Sequence, residues 1–202
     1  RRQRQMCIRD RVEAVLKGIL KEAGVEYEDS KRVTLDIGED SPQRVVTGEY
    51  DIVIDGAVDD VKSASDWSYR NKFESFDTLK EGDAFGYVSQ LAGYASASGK
   101  KAGGWWVVNK QDGNFKYVPA NIDVEKEVKK IKDNIKAVEN DDFKRCFEPV
   151  EETFRGKPTG NKILPITCRF CSYRKACHPS LQELPQKMSK AKDPKIVAYV
   201  DG

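Results

Sequence analysis

The dipeptide Asp55-Gly56, set between the runs Ile52-Val53-Ile54 and Ala57-Val58, restricts the fold more than any other stretch of this chain. Asp-Gly between short β-branched runs is the strongest local signal for a two-residue hairpin, because the turn needs two residues that tolerate positive φ. Such a turn fixes the pairing: Ile54 opposite Ala57, Val53 opposite Val58, Ile52 opposite Asp59, and Asp51 opposite Asp60. Cross-strand partners have Cβ atoms about 5 Å apart, and like charges at that spacing repel. The period of two adds Lys62 to the face of Asp60. Two opposed carboxylates beside a lysine are poor design for stability. They suit a divalent cation, since hard oxygen ligands from two strands can share one ion. The plainer alternative is a solvated hairpin with a surface ion pair.

Gly48-x-x-Asp51, Asp60-x-Lys62 and Gln90-Leu91-Ala92-Gly93-Tyr94 follow one another along the chain. In order and spacing they resemble the three motifs of RecB-type PD-(D/E)XK nucleases, above all the exonuclease-like members carried by tailed phages. Phe85-Gly86-Tyr87-Val88-Ser89-Gln90 and the cysteine-rich end resemble the same subgroup, and the likeness runs from about Val12 to His178. The resemblance implies an α/β, restriction-endonuclease-like core, a central mixed β-sheet flanked by helices, followed by a small C-terminal cysteine-rich module. It further implies Mg²⁺-dependent (or Mn²⁺-dependent) hydrolysis of DNA phosphodiesters in phage recombination, replication or host-DNA degradation. The ion would be held by Asp51, Asp60, the Val61 backbone carbonyl and Glu13. Lys62 would orient the attacking water or stabilise developing charge, with Gln90 and Tyr94 supporting the site and the scissile phosphate. The implied setting is the cytoplasm of a bacterial host, with DNA as partner and phage recombination or replication proteins as further ones.

Charge is unevenly spread. The chain of 202 residues carries a formal net charge of +2, yet residues 144–202 hold twelve Lys/Arg against six Asp/Glu, and residues 12–143 are net acidic. An acidic body with a basic C-terminal part suits a metal nuclease whose tail region meets phosphate backbone. The Lys187–Lys195 stretch taken alone reads equally well as a solvated tail. No apolar run approaches the length of a membrane span.

Residues 1–11 stand apart. Gln5 to Arg11 resembles the in-frame translation of a sequencing-library adapter, so Cys7 and the five arginines of this segment are not read as functional. From Val12, apolar residues at Val15, Leu16, Ile19 and Leu20 predict an amphipathic helix stopped by Gly24. Glu13 near its start is either the third metal carboxylate of the family or an ordinary surface glutamate. Strands are predicted at Val33–Ile37 and Arg44–Ile54. A polar loop with Trp67, Tyr69, Phe73 and Phe76 interleaved with Arg70, Lys72 and Lys80 follows Lys62, and its aromatics either stack bases or pack beneath the loop. Asp83 is the predicted N-cap of a helix reaching about Ser98, on which Gln90 and Tyr94 share a face. Gly103–Asn109 and Asn114–Ile122 predict a second hairpin, and Val124, Val128, Ile131, Ile135 and Val138 stripe a surface helix. Glu148 to Lys162 reads as loop. The predicted core is therefore 12–142, with residues 143–202 as the cysteine-rich segment and basic tail.

Cys168-x2-Cys171-x5-Cys177 is a tight spacing, with Cys146 upstream. Four thiols in one short segment favour a metal or cluster over disulfides. RecB-type relatives use such a pattern to hold a [4Fe–4S] cluster, and the resemblance implies one here; thiolates suit Zn²⁺ equally. His178 could replace one ligand but reads as a surface residue. Two other functions stay open on the sequence: a non-catalytic DNA-binding module with a zinc-ribbon-like tail, and a structure-specific endonuclease on the same fold.

Overall fold

The structure is a computed structural model that describes residues 2–38, 41–42, 44–140, 147–169 and 171–201, with side chains from Asp10 onward. It divides into two compact units, Arg1–Asp142 and Phe143–Gly202. The first opens with α1 (Arg2–Glu22), followed by β1 (Glu28–Asp36), β2 (Val45–Ile54) and β3 (Ala57–Ala64). A π-helical turn at Ser68–Lys72, α2 (Phe76–Glu81) and α3 (Tyr87–Ser98) lead to β4 (Lys101–Asn109), β5 (Phe115–Pro119) and α4 (Val124–Glu139).

The five strands form one sheet in the order β1-β2-β3-β4-β5. All neighbours are antiparallel except β3 and β4, which run parallel. A parallel pair needs a long crossover, and residues 65–100 with α2 and α3 supply it. The result is a mixed α/β sheet flanked by helices. On one face Leu16 and Leu20 of α1 pack against Ile52 and Val61. On the other, Val88 and Leu91 of α3 pack with Val53, Val58, Trp105 and Val107. Period-two alternation therefore sends Asp60 and Lys62, which share the parity of Val58, toward α3.

The stretch after Lys62 is more ordered than its composition predicts. Ser75 and Thr78 cap α2 reciprocally: the Ser75 hydroxyl accepts from the Thr78 amide at 3.2 Å, and the Thr78 hydroxyl from the Ser75 amide at 3.0 Å. Phe73 and Leu79 are buried, and the Phe76 ring lies 6.2 Å from that of Trp105. Burial of these aromatics, which the polar setting disguised, is what organises the segment.

The second unit also departs from expectation, because Glu148 to Lys162 is mostly strand. β6 (Val150–Phe154) and β7 (Lys157–Ile163) form a hairpin across Arg155-Gly156, both with positive φ. Helices α5 (Ile166–Arg169) and α6 (Arg174–Cys177) precede β8 (Gln182–Pro185) and β9 (Ile196–Val200), and the sheet order is β6-β7-β9-β8. Leu164, Ala198 and Val200 form a small core. Glu152, 1% exposed, accepts from Thr159 Oγ1, Asn161 Nδ2, Gln186 Nε2 and Tyr199 Oη at 2.8–3.2 Å. Burial alone would raise its pKa, but these donors outweigh burial and hold it below the usual range.

Candidate active site

The Asp55-Gly56 turn forms as its residue types require, with φ of 50° and 73°. Its ladder runs Ile54↔Ala57, Val53↔Val58 and Ile52↔Asp59. The expected fourth pair, Asp51 with Asp60, is not part of the backbone ladder. Instead the Asp51 carboxylate enters the gap and its Oδ2 accepts from the Val61 amide at 2.7 Å. A side chain thus takes the amide that a longer ladder would use. In extended backbone the N–H and C=O of one residue project to the same edge, so the Val61 carbonyl is directed toward the same gap. The Val61 side chain points the other way, into the α1 face.

Asp51 and Asp60 are 3% and 4% exposed, so two carboxylates are withdrawn from water together. Burial pushes the Asp60 carboxyl up to about 7; the Lys62 ammonium pulls it down, while Asp51, by charge and by hydrogen bonding, pushes it up. Lys62 Nζ contacts Asp60 Oδ2 in an ion pair. Two adjacent buried hard-oxygen donors, one of them costly to ionise, form a donor set that a divalent cation fits.

α3 completes this face. Lys62 Nζ donates to Gln90 Oε1 at 3.3 Å, and Gln90 Nε2 donates to Tyr94 Oη at 3.0 Å. The Asp83 carboxylate accepts from the Tyr87 and Val88 amides, each at 2.9 Å, and so caps the helix that carries Gln90 and Tyr94. Gly48 gives Tyr94 its place: a Cβ there would stand 2.5 Å from Tyr94 Cε1. A cavity of about 210 Å³ lies alongside, lined in part by Gly48, Gln90, Gly93 and Tyr94. The structure therefore brings together Asp51, Asp60, Lys62, Gln90 and Tyr94, with Val61 presenting its backbone to Asp51.

Glu13 makes no hydrogen bond or ion pair to them. It pairs with Lys17 at 2.5 Å, one turn along α1, and Lys17 also pairs with Asp29. This i,i+4 pair engages the residue expected as third carboxylate. Among the described residues no group of three or more His, Cys, Asp and Glu is positioned to hold a metal. That statement covers Cys168, Cys171 and Cys177, which are half-buried on and between the short helices α5 and α6. Cys146 lies outside the described residues. His178 is buried, at 5% exposed, rather than on the surface, and its Nε2 lacks a hydrogen-bond partner among the described residues.

Two features beside the site escape a motif reading. Asp59 is buried on the α1 face, accepting from Trp106 Nε1 and Tyr117 Oη at 3.0 Å each, with a pKa raised by burial. Gly103 makes its seat, since a Cβ there would stand 2.0 Å from Asp59 Oδ1. Paired glycines at 103 and 104 inside a strand were a readable sign of that close approach. The second feature is a group of rings and lysines around Tyr87, whose three-dimensional stacking has no signature in sequence spacing.

No family model and no curated protein matches the chain. Among solved structures, the crystal structure of SSO0001 aligns over 65% of this chain and 60% of its own length, with 15% identity and a TM-score of 0.44. This chain thus spans less than two thirds of that protein, and so distant a likeness bears on neither its fold nor its chemistry. No helix among the described residues is long and apolar enough to cross a membrane.

Proposed function

We propose that the chain is a metal-dependent deoxyribonuclease that hydrolyses phosphodiester bonds, acting as an exonuclease. One observation carries the reading: Asp51 and Asp60 are buried against each other and flanked on the same face by Lys62. Two carboxylates buried together exceed the single charge that Lys62 supplies, and a divalent cation would balance the remainder. Asp51, Asp60 and the Val61 carbonyl would hold Mg²⁺ or Mn²⁺, which when bound supplies Lewis acidity and lowers the pKa of water.

The residues of the chain do the rest. Asp51, fixed by the Val61 amide, sets the position of the second carboxylate. Lys62, tied to Asp60 and Gln90, holds a positive charge where the phosphate gains negative charge. Gln90 and Tyr94 fix the lysine's orientation through one hydrogen-bonded chain. In the second unit, we propose that Cys168, Cys171 and Cys177 bind a [4Fe–4S] cluster or Zn²⁺ with Cys146 as fourth ligand, and that the centre staples the segment.

Digestion of end-labelled linear and closed circular DNA in Mg²⁺ and in EDTA tests the reading. Progressive shortening of the linear substrate in Mg²⁺, with the circle intact, supports an exonuclease. Nicking or linearisation of the circle turns the reading to an endonuclease, and loss of neither substrate overturns it.

A further inference from the structure

Three rings step outward from the core beside Lys62. Phe73 is buried, and its ring centroid lies 6.0 Å from that of Tyr87, with 22° between the planes. Tyr87 in turn lies 5.8 Å from Phe85, with 27° between the planes. Phe85 is 64% exposed, so the ladder ends in a largely solvent-exposed ring. Gly86, between the two outer rings, has φ of 72°, a conformation that favours glycine.

Two ammonium groups share the middle ring. Lys62 Nζ lies 4.7 Å from the Tyr87 centroid and Lys72 Nζ 4.5 Å from it, while Lys72 is also 5.0 Å from the Phe85 centroid. Among the described residues no carboxylate lies within ion-pairing distance of Lys72. Asp83, whose charge does favour its ammonium form, is engaged with the Tyr87 and Val88 amides. Burial lowers the Lys72 pKa, and Lys62 pushes in the same direction. Packing beneath a loop accounts for Phe73, but it requires neither an exposed terminal phenylalanine nor two lysines drawn to one ring. An anion between the lysines and a flat apolar ligand on Phe85 would satisfy both at once.

We propose that Lys72, Phe85 and Tyr87 form a binding site for an unpaired nucleotide of single-stranded DNA, with its base on Phe85 and its phosphate at Lys72. This inference rests on the nuclease reading and gives it a substrate class. A base in the interior of a duplex is stacked on both sides and cannot lay a face on Phe85, whereas a single strand offers its bases to aromatic platforms. Lys62 stands on the same ring and contacts Asp60, so the nucleotide held here would adjoin the phosphate under attack.

The test is binding of a fluorescein-labelled oligothymidine and of a covalently closed circular duplex to the full chain, with Ca²⁺ in place of Mg²⁺. Phe85→Ala is expected to weaken single-strand binding about tenfold or more and to leave the duplex unchanged. Phe85→Trp is expected to restore it. Lys72→Ala should lower the salt-dependence slope for the single strand by about 0.7, the value for one lost phosphate contact. Unchanged single-strand binding in Phe85→Ala, or equal loss for both substrates, overturns the site. Cleavage in Mg²⁺ is measured in parallel. A cleaving wild type whose variants bind and cut as it does sinks the nucleotide site alone. Variants that lose binding in a protein that never cleaves keep the site and sink the nuclease reading.

Discussion

Tyr94 and Gly48 touch so closely that no other residue fits at position 48 without moving the ring: a Cβ there would stand 2.5 Å from Tyr94 Cε1. Tyr94 is the end of the chain of contacts through Gln90 and Lys62 to Asp60. Gly48→Ala is therefore expected to cost about 1–3 kcal/mol of stability by overpacking. It should also lower the cleavage rate at least about tenfold as Gln90 and Lys62 lose their support. Thermal unfolding and single-turnover cleavage measured on one preparation check both. A variant with full activity would show that Tyr94 does not position the lysine.

The Asp60 carboxyl, held at about 7 in the folded chain against 3.8 when unperturbed, makes its own contribution to the pH dependence of stability. The unfolded chain releases the Asp60 proton first, so the Asp60 contribution to stability without metal is greatest below the ordinary carboxylate range. It falls as pH rises from about 4 to about 7 and is level above that. Asp60→Asn removes this loss and should be more stable than wild type at pH 8 by on the order of a few kcal/mol, and melt higher, with little difference near pH 4. Mg²⁺ should raise the melting temperature of wild type at pH 8 far more than at pH 5.5, because a proton competes for the same carboxylate. Equal Mg²⁺ stabilisation of Asp60→Asn would remove Asp60 from the ligand set.

The cysteine segment gives a third expectation. Protein purified without oxygen should carry iron with broad visible absorption, or one zinc, and Cys171→Ser should lose that metal. The same variant should become open to protease within residues 143–202, since structural metal sites contribute to folding itself. Unchanged metal content and protection would exclude a centre built on Cys171.

Legibility in the sequence followed how local the cause was. The hairpin register was readable because Asp55-Gly56 dictates its turn and a period of two dictates its faces. Gln90 and Tyr94 were readable as one face because helical spacing is local. The end of the ladder before Asp51 was not, since it depends on a carboxylate taking the Val61 amide across strands. Glu13 was placed by family likeness, and a lysine one turn along its own helix pairs with it. The β6–β7 hairpin was hidden because its strands are largely exposed and polar, although Arg155-Gly156 marked the turn. The buried Glu152 in it depends on donors from three separate stretches, which no window of sequence contains.

The account stands on Asp60 as a ligand for the ion that drives hydrolysis. Its most direct test is the single-turnover rate of cleavage of an end-labelled single-stranded oligonucleotide in saturating Mg²⁺, for wild type and for Asp60→Asn. Circular dichroism of the two should agree, to show the fold is retained. The predicted result is Mg²⁺-dependent shortening by wild type, abolished by EDTA. Asp60→Asn should be slower by at least about a thousandfold, equivalent to about 4 kcal/mol of transition-state stabilisation. An Asp60→Asn rate within tenfold of wild type, or wild-type cleavage that persists in EDTA, would contradict it.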